Sequence, residues 1–349
     1  MPQSRPSRRR LLAAGATLLL ASSATLPGCT ASAPVPEGPD PLESPAWRAE
    51  ADAAQAIAAA QLLADADAGL ATAARALAAD RMAHATTLRA ELRRVRPGPT
   101  PPDTSPPVAS PPATPPPASP PADPDPTAIR AALSRAIHAA QEEAAALTLS
   151  LPGYRAALLA SVAACCATHA ALRNPVPPNP LLPDMKTYRG PQGAPKPDMS
   201  PYRDGRGGAV EALQGALGAE HAAVWVYAAA GAFVSGALAG RIEEAATAHQ
   251  ACRDTTEVML IGAGAPPVQS EPGYLTPEPV TDAASALRLV ITAETDAAAA
   301  WRSVVERSPA DPDLRSAALE ALVASAVRAT RWRAAAGTIP MTVPFPGAP

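Results

Sequence analysis

Three side chains stand where an apolar residue is expected. Between residues 208 and 234, Leu213, Leu217, Val224 and Tyr227 recur at helical spacing, and the same stripe passes through Glu220. A second stripe, Ile242, Ala245, Thr256 and Leu260, passes through His249, and a third, Leu287, Ile291, Trp301 and Val305, passes through Glu294. A fourth, Leu314, Ala318, Leu322, Ala329 and Trp332, passes through Ser325 with Arg328 at its edge. A carboxylate inside an apolar core costs several kcal/mol unless it is paired or bound to a metal. Two explanations follow. Glu220, His249 and Glu294 hold a single iron or manganese ion, for which carboxylate and imidazole are suitable donors. Alternatively, the carboxylates pair with Arg253 or Arg328 in a network without chemistry.

Similar but weaker signals lie upstream. His84 shares a stripe with Leu77, Leu88 and Val95, and His169 one with Leu158, Val162 and Leu172. Glu143 lies near a stripe of Ile129, Leu133, Ala140 and Leu147. A lone core histidine is expected to be a hydrogen-bonded packing residue. His138 and His221 read as surface or rim positions. Cys165 and Cys166 are adjacent, a spacing that disfavours a disulfide within a helix, and they read as small buried thiols. No Ser/His/Asp arrangement, phosphate-cradling glycine loop or basic-aromatic patch is present, so no catalytic residue is assigned.

The elements that must position these residues are helices. Alanine, the best helix former, dominates, and aromatic residues are 3% of the chain. The reading is all-α. Helical blocks are expected at about 47–96, broken near Asp65–Gly69, then at 127–149, 152–173, 208–234, 238–261, 281–307 and 311–336. Half of the residues in 97–126 are proline, which predicts an extended, solvated insertion. A second Pro/Gly-rich linker spans 174–207, residues 263–280 again carry proline, and 338–349 read as an extended tail.

The N-terminus is set apart from the fold. Ser7-Arg8-Arg9-Arg10-Leu11-Leu12 resembles a twin-arginine export signal, an apolar run follows, and Leu26-Pro27-Gly28-Cys29 resembles a lipobox. Residues 1–28 then form the signal, with Arg8 and Arg9 its recognition pair. Cys29 is the lipidation site and 29–45 a tether. The chain is expected on the outer face of the cytoplasmic membrane, held by the lipid at Cys29. Losing the four arginines of residues 1–28 takes the formal net charge from −3 to −7, which with no basic stripe argues against nucleic acid.

Both halves, 46–173 and 208–337, read helix, helix, long proline-bearing crossover, helix, helix. One long crossover between the second and third helices is the ferritin-like connectivity. The expectation is therefore a ferritin-like four-helix bundle at 208–337, with a degenerate one at 46–173 in tandem and bundle-on-bundle pairing within the chain. The segments 216–227 (ALGAEHAAVWVY), 248–254 (AHQACRD), 292–294 (TAE) and 300–301 (AW) resemble an uncharacterised ferritin-like family, a domain of unknown function of exported bacterial proteins. The resemblance covers about 208–349 and implies the fold.

Working two-iron bundles carry Glu on helices one and three and Glu-x-x-His on helices two and four. Here Glu220 and Glu294 match, and His249 follows Ala246 where Glu is expected. Ser325 and Arg328 replace the last pair. In the first half, Arg81 and Cys166 stand at the glutamate positions before His84 and His169. The eroded set favours a non-catalytic structural or interaction protein of the envelope, with no cofactor. The alternative is a metal-binding protein with a mononuclear site or oxidase activity.

Overall fold

The structure is a computed structural model that describes residues 38–96, 125–173, 208–308 and 312–349. The signal segment with Arg8 and Arg9, Cys29, most of the proline-rich insertion and the linker lie outside the described residues. Among the described residues there are eight helices and no strand: α1 Glu43–Leu62, α2 Ala68–Val95, α3 Pro126–Ser150, α4 Gly153–Arg173, α5 Ala209–Gly231, α6 Ala237–Gly262, α7 Ala283–Arg307 and α8 Pro312–Ala335.

The helix starts follow from local chemistry. Asp67 caps α2 by accepting from the Leu70 amide at 2.8 Å, which closes the break expected at Asp65–Gly69. Asp125 caps α3, with Pro126 at its first position. Asp282 and Ser285 form a reciprocal capping box at α7. At its start α1 runs into the expected tether, beginning at Glu43.

Two sets of neighbours repeat. In the first half α1 packs on α2 and α3, and α3 on α4; in the second α5 packs on α6 and α7, and α7 on α8. The crossover between α6 and α7 runs back along α5. It is held there by Gln214, which accepts from the Val268 amide and donates to the Pro266 carbonyl, both at 2.8 Å.

The described residues from Pro39 to Pro349 form one compact unit. Helix α4 packs on α7 and α8, and one apolar core runs from Leu42 through Leu159 and Leu217 to Val327. By length and composition α4 could cross a membrane, yet most of it is buried against its neighbours. At its first residue α4 comes so close to α7 that a Cβ on Gly153 would lie 2.0 Å from the Glu306 carbonyl oxygen. Across the same seam the buried Arg315 of α8 donates to the carbonyls of Thr148, Leu149 and Leu151 (3.3, 3.3 and 2.6 Å) and of Ser308 (3.1 Å). Its cation thereby serves the acceptors left over at the ends of α3 and α7.

The tail is not a free extension. It leaves α8 at Gly337 and returns over the first half, where Thr342 and Pro346 are buried. Pro344 accepts from His84 and Pro346 accepts from Ser161 (2.6 and 2.8 Å). Gly347, at φ +77°, passes so near α7 that a Cβ would meet the Ala298 carbonyl oxygen at 2.6 Å.

Candidate functional site

Helices α5, α6 and α7 bring Glu220, His249 and Glu294 together, all three buried. His249 lies between the carboxylates, with Nδ1 2.6 Å from Glu220 Oε2 and Nε2 3.2 Å from Glu294 Oε1. A carboxylate only accepts, so both ring nitrogens carry protons and the ring is an imidazolium. Burial and the nearby Arg328 oppose that charge, but the Glu294 and Glu220 carboxylates outweigh them and raise the pKa of His249 above its usual value.

Arg328 reaches in from α8. Its Nε donates to Glu294 Oε1 at 2.5 Å and its Nη2 to Ser325 Oγ at 3.2 Å. The Tyr227 hydroxyl donates to the same Glu294 oxygen at 2.5 Å and itself accepts from Trp332 Nε1 at 2.7 Å. Trp301 Nε1 donates to Glu220 Oε1 at 2.7 Å. Burial favours the neutral acid of Glu294, yet Arg328 and His249 hold its pKa down to about 2. Two carboxylates, an imidazolium and a guanidinium thus make a buried cluster of zero net charge. Within this cluster, Glu294 Oε2 is buried without a hydrogen-bond partner.

These residues do not fit a two-iron centre. Three of the six donor positions hold Ala246, Ser325 and Arg328, and the guanidinium places a cation on one oxygen of the Glu294 carboxylate. A single ion at Glu220, His249 and Glu294 requires His249 to lose a proton and turn, because its nitrogens face opposite carboxylates. Of the two arginines considered as partners, only Arg328 enters the core. Arg253 pairs with its exposed neighbour Asp254 at 2.6 Å, because its side chain leaves α6 on the outer face.

The first half holds a second buried network. Arg81 donates to Asp52 Oδ2 through Nη2 (2.8 Å) and Nε (3.1 Å), and through Nη1 to His84 Nδ1 at 3.0 Å. A guanidinium cannot accept, so the His84 proton is on Nε2, which donates to the Pro344 carbonyl of the tail. Burial, with Arg81 beside it, pushes the His84 pKa down to about 3. Asp80 Oδ2 accepts from His169 Nε2 and Thr342 Oγ1, each at 2.7 Å, and from Cys165 Sγ at 3.6 Å. Burial favours protonated Asp80, but His169 and Thr342 bring its pKa below the ordinary carboxylate value. Both thiols are free and buried, which raises their pKa values, that of Cys166 to about 11.

Glu143, expected near this core, lies on the rim and pairs with Arg48 at 2.6 Å; Gln141 takes the buried position on α3. His138 is half-buried, and His221 is covered by the crossover, its Nε2 3.2 Å from the Val268 carbonyl oxygen. The stripes did not single out Asp52 and Asp80. Their signal was a charged residue with Ala49 and Ala56, or Leu77 and His84, on the same helical face.

A family model described as a domain of unknown function, DUF4439, matches residues 212–349. Over 40% of this chain and 99% of its own, a solved conserved hypothetical protein from Mycobacterium tuberculosis is 38% identical, with a TM-score of 0.37. This chain belongs to the DUF4439 family. No curated protein matches it. The DUF4439 segment contains Glu220, His249, Glu294 and Arg328, together with the tail that docks on the first half; Asp52, Asp80, Cys165 and His169 lie before it.

Proposed function

We propose that this chain is an exported lipoprotein, anchored through Cys29 to the outer face of the cytoplasmic membrane. Its two ferritin-like bundles, in tandem, would serve a non-catalytic structural or protein-interaction role in the envelope. The repeated neighbour pattern supports the fold reading: in each half the first helix packs on the second and third, and the third on the fourth, as one long crossover requires. The observation that carries the functional reading is Arg328 Nε at 2.5 Å from Glu294 Oε1. It puts a protein cation where a metal would act, and the first half does the same with Arg81 on Asp52.

A second reading, a mononuclear iron or manganese site at Glu220, His249 and Glu294, is favoured by the buried, unpartnered Glu294 Oε2. Metal analysis of the purified full chain decides between them, beside a Glu220→Ala/His249→Ala variant. We expect iron and manganese far below one ion per chain in both. One equivalent of either, lost in the variant, would replace the first reading by the second.

A further inference from the structure

We propose that Asp80, Cys165 and His169 bind a thiophilic divalent cation such as Zn²⁺, beneath Thr342 of the C-terminal tail. The site lies in the other half from Glu220, and the proposal goes beyond the function assigned above. Carboxylate, thiol and imidazole are the donor types that Zn²⁺ takes. Cys165 and His169 are four residues apart on α4, so both side chains leave the same face, toward Asp80 on α2. One ligand atom from each lies within 4.8 Å of the other two, and all three residues are buried.

The spacing is close to what an ion needs. Cys165 Sγ to Asp80 Oδ2 is 3.6 Å. His169 Nε2 to Asp80 Oδ2, now a hydrogen bond of 2.7 Å, must open to about 3.3 Å, the edge of a tetrahedron with arms of about 2.0–2.1 Å. Thr342 Oγ1, on the same Asp80 oxygen, is placed to offer a fourth, neutral oxygen.

Charge favours the site. Zn²⁺ with one carboxylate and one thiolate is neutral, as a water-free interior requires. The donors on Asp80 here are a ring nitrogen, a hydroxyl and a thiol, whereas the carboxylate of Glu294 is held by a guanidinium. Nearby Arg81 is already neutralised by Asp52 and turns Nη1 toward His84 and Cys166 (3.0 and 3.8 Å), which leaves Cys166 out of the site. On binding, the Cys165 thiol proton goes to solvent, and the His169 Nε2 proton moves to Nδ1 or leaves with it. The bound ion would clasp α2, α4 and the tail together.

Co²⁺ titration of the full chain, with Co²⁺ standing in for Zn²⁺, tests this. We expect one Co²⁺ per chain with a sulfur-to-cobalt charge-transfer band, displaced by Zn²⁺. The band should persist in Cys29→Ser, Cys166→Ser and Cys252→Ser, and vanish in Cys165→Ser. His169→Gln should weaken binding by at least about a hundredfold, more than loss of a supporting contact would. A buried Cys→Ser change can unfold a helical core, so the second readout uses the unaltered chain: X-ray absorption of bound Zn²⁺ should show one sulfur among nitrogen and oxygen ligands. Absence of the band in the unaltered chain, its survival in Cys165→Ser, or a sulfur count other than one overturns the proposal.

Discussion

Glu294 takes three donors on one oxygen, and Arg328 is the one whose charge holds it ionised. Removing that partner leaves a buried carboxylate with His249 as its one remaining cationic neighbour in the cluster, beside the neutral Tyr227 hydroxyl. We expect Arg328→Met to destabilise the chain by about 3–5 kcal/mol, and Arg328→Met with Glu294→Gln to recover more than half of it, because an apolar or neutral replacement of both partners removes the uncompensated charge. Urea unfolding of the single and double variants measures this; equal losses in both would show that packing, not charge, holds the site. The sign with pH follows. The Glu294 pKa falls from 4.5 to about 2 on folding, so its contribution is complete above 4.5 and is lost as pH drops through 2. His249 is raised above 6.5, so its contribution is complete below 6.5 and is lost as pH rises through the folded value. Glu220, His249 and Glu294 were legible because each interrupts a stripe of larger apolar residues. The choice of Arg328 over Arg253 was not, since a few tens of degrees of helix rotation decide it. Asp52 and Asp80 were obscured because alanine fills both the buried and the exposed faces of α1 and α2, which blurs the periodicity.

At the scale of elements, the helices were readable from alanine content, apolar spacing and proline breaks, and the docking of the tail was not. Residues 338–349 lack any helical or strand period, and their docking rests on backbone carbonyls that no side-chain pattern announces. The contact of His84 with the Pro344 carbonyl is one that responds to pH. Its folded pKa is about 3 against 6.5 unfolded, so between these values the unfolded chain binds the extra proton. Stability therefore falls as pH drops through that window, by up to about 1.4 kcal/mol per pH unit from this group. Asp80 partly offsets the effect, whereas Arg81 and His169 deepen it. Glutamine can donate to Pro344 and accept from Arg81 without titrating. We expect His84→Gln to retain the fold at pH 7 and to flatten the decline in stability between pH 6.5 and 3, read by urea unfolding across the range. A slope unchanged from the parent would assign the acid sensitivity to another group.

At the scale of the whole molecule, the sequence suggested two helical halves that pack on each other, and in the structure the largest apolar cluster joins residues of both halves while a smaller one belongs to the second half alone. The repeat of helix order was visible because long proline-bearing segments mark the crossovers. That the halves pair could be suspected from alanine on several helix faces, but which faces form the seam could not, because alanine is equally compatible with burial and exposure. Helix α8 is the clearest case: its buried residues include Leu319, Leu322, Val323 and Ala326, which belong to the core shared with the first half, as well as Trp332, which belongs to the second half's own cluster. Cutting the chain between the halves would expose that second face to water, at roughly 25 cal/mol for each Å² of apolar surface. It would also strip Arg315 of the α3 carbonyls. Residues 208–349 produced alone should therefore self-associate or precipitate, and should form a one-to-one complex when produced together with residues 38–173. In the intact chain, Arg315→Ala should cost on the order of 3 kcal/mol, since several buried carbonyls lose their donor at once. Light scattering after size exclusion reads the assembly, and thermal melting the stability. A 208–349 fragment that is monomeric and melts with the intact chain would mean that each half folds by itself and that the seam contributes little, which the burial of α8 on both faces argues against.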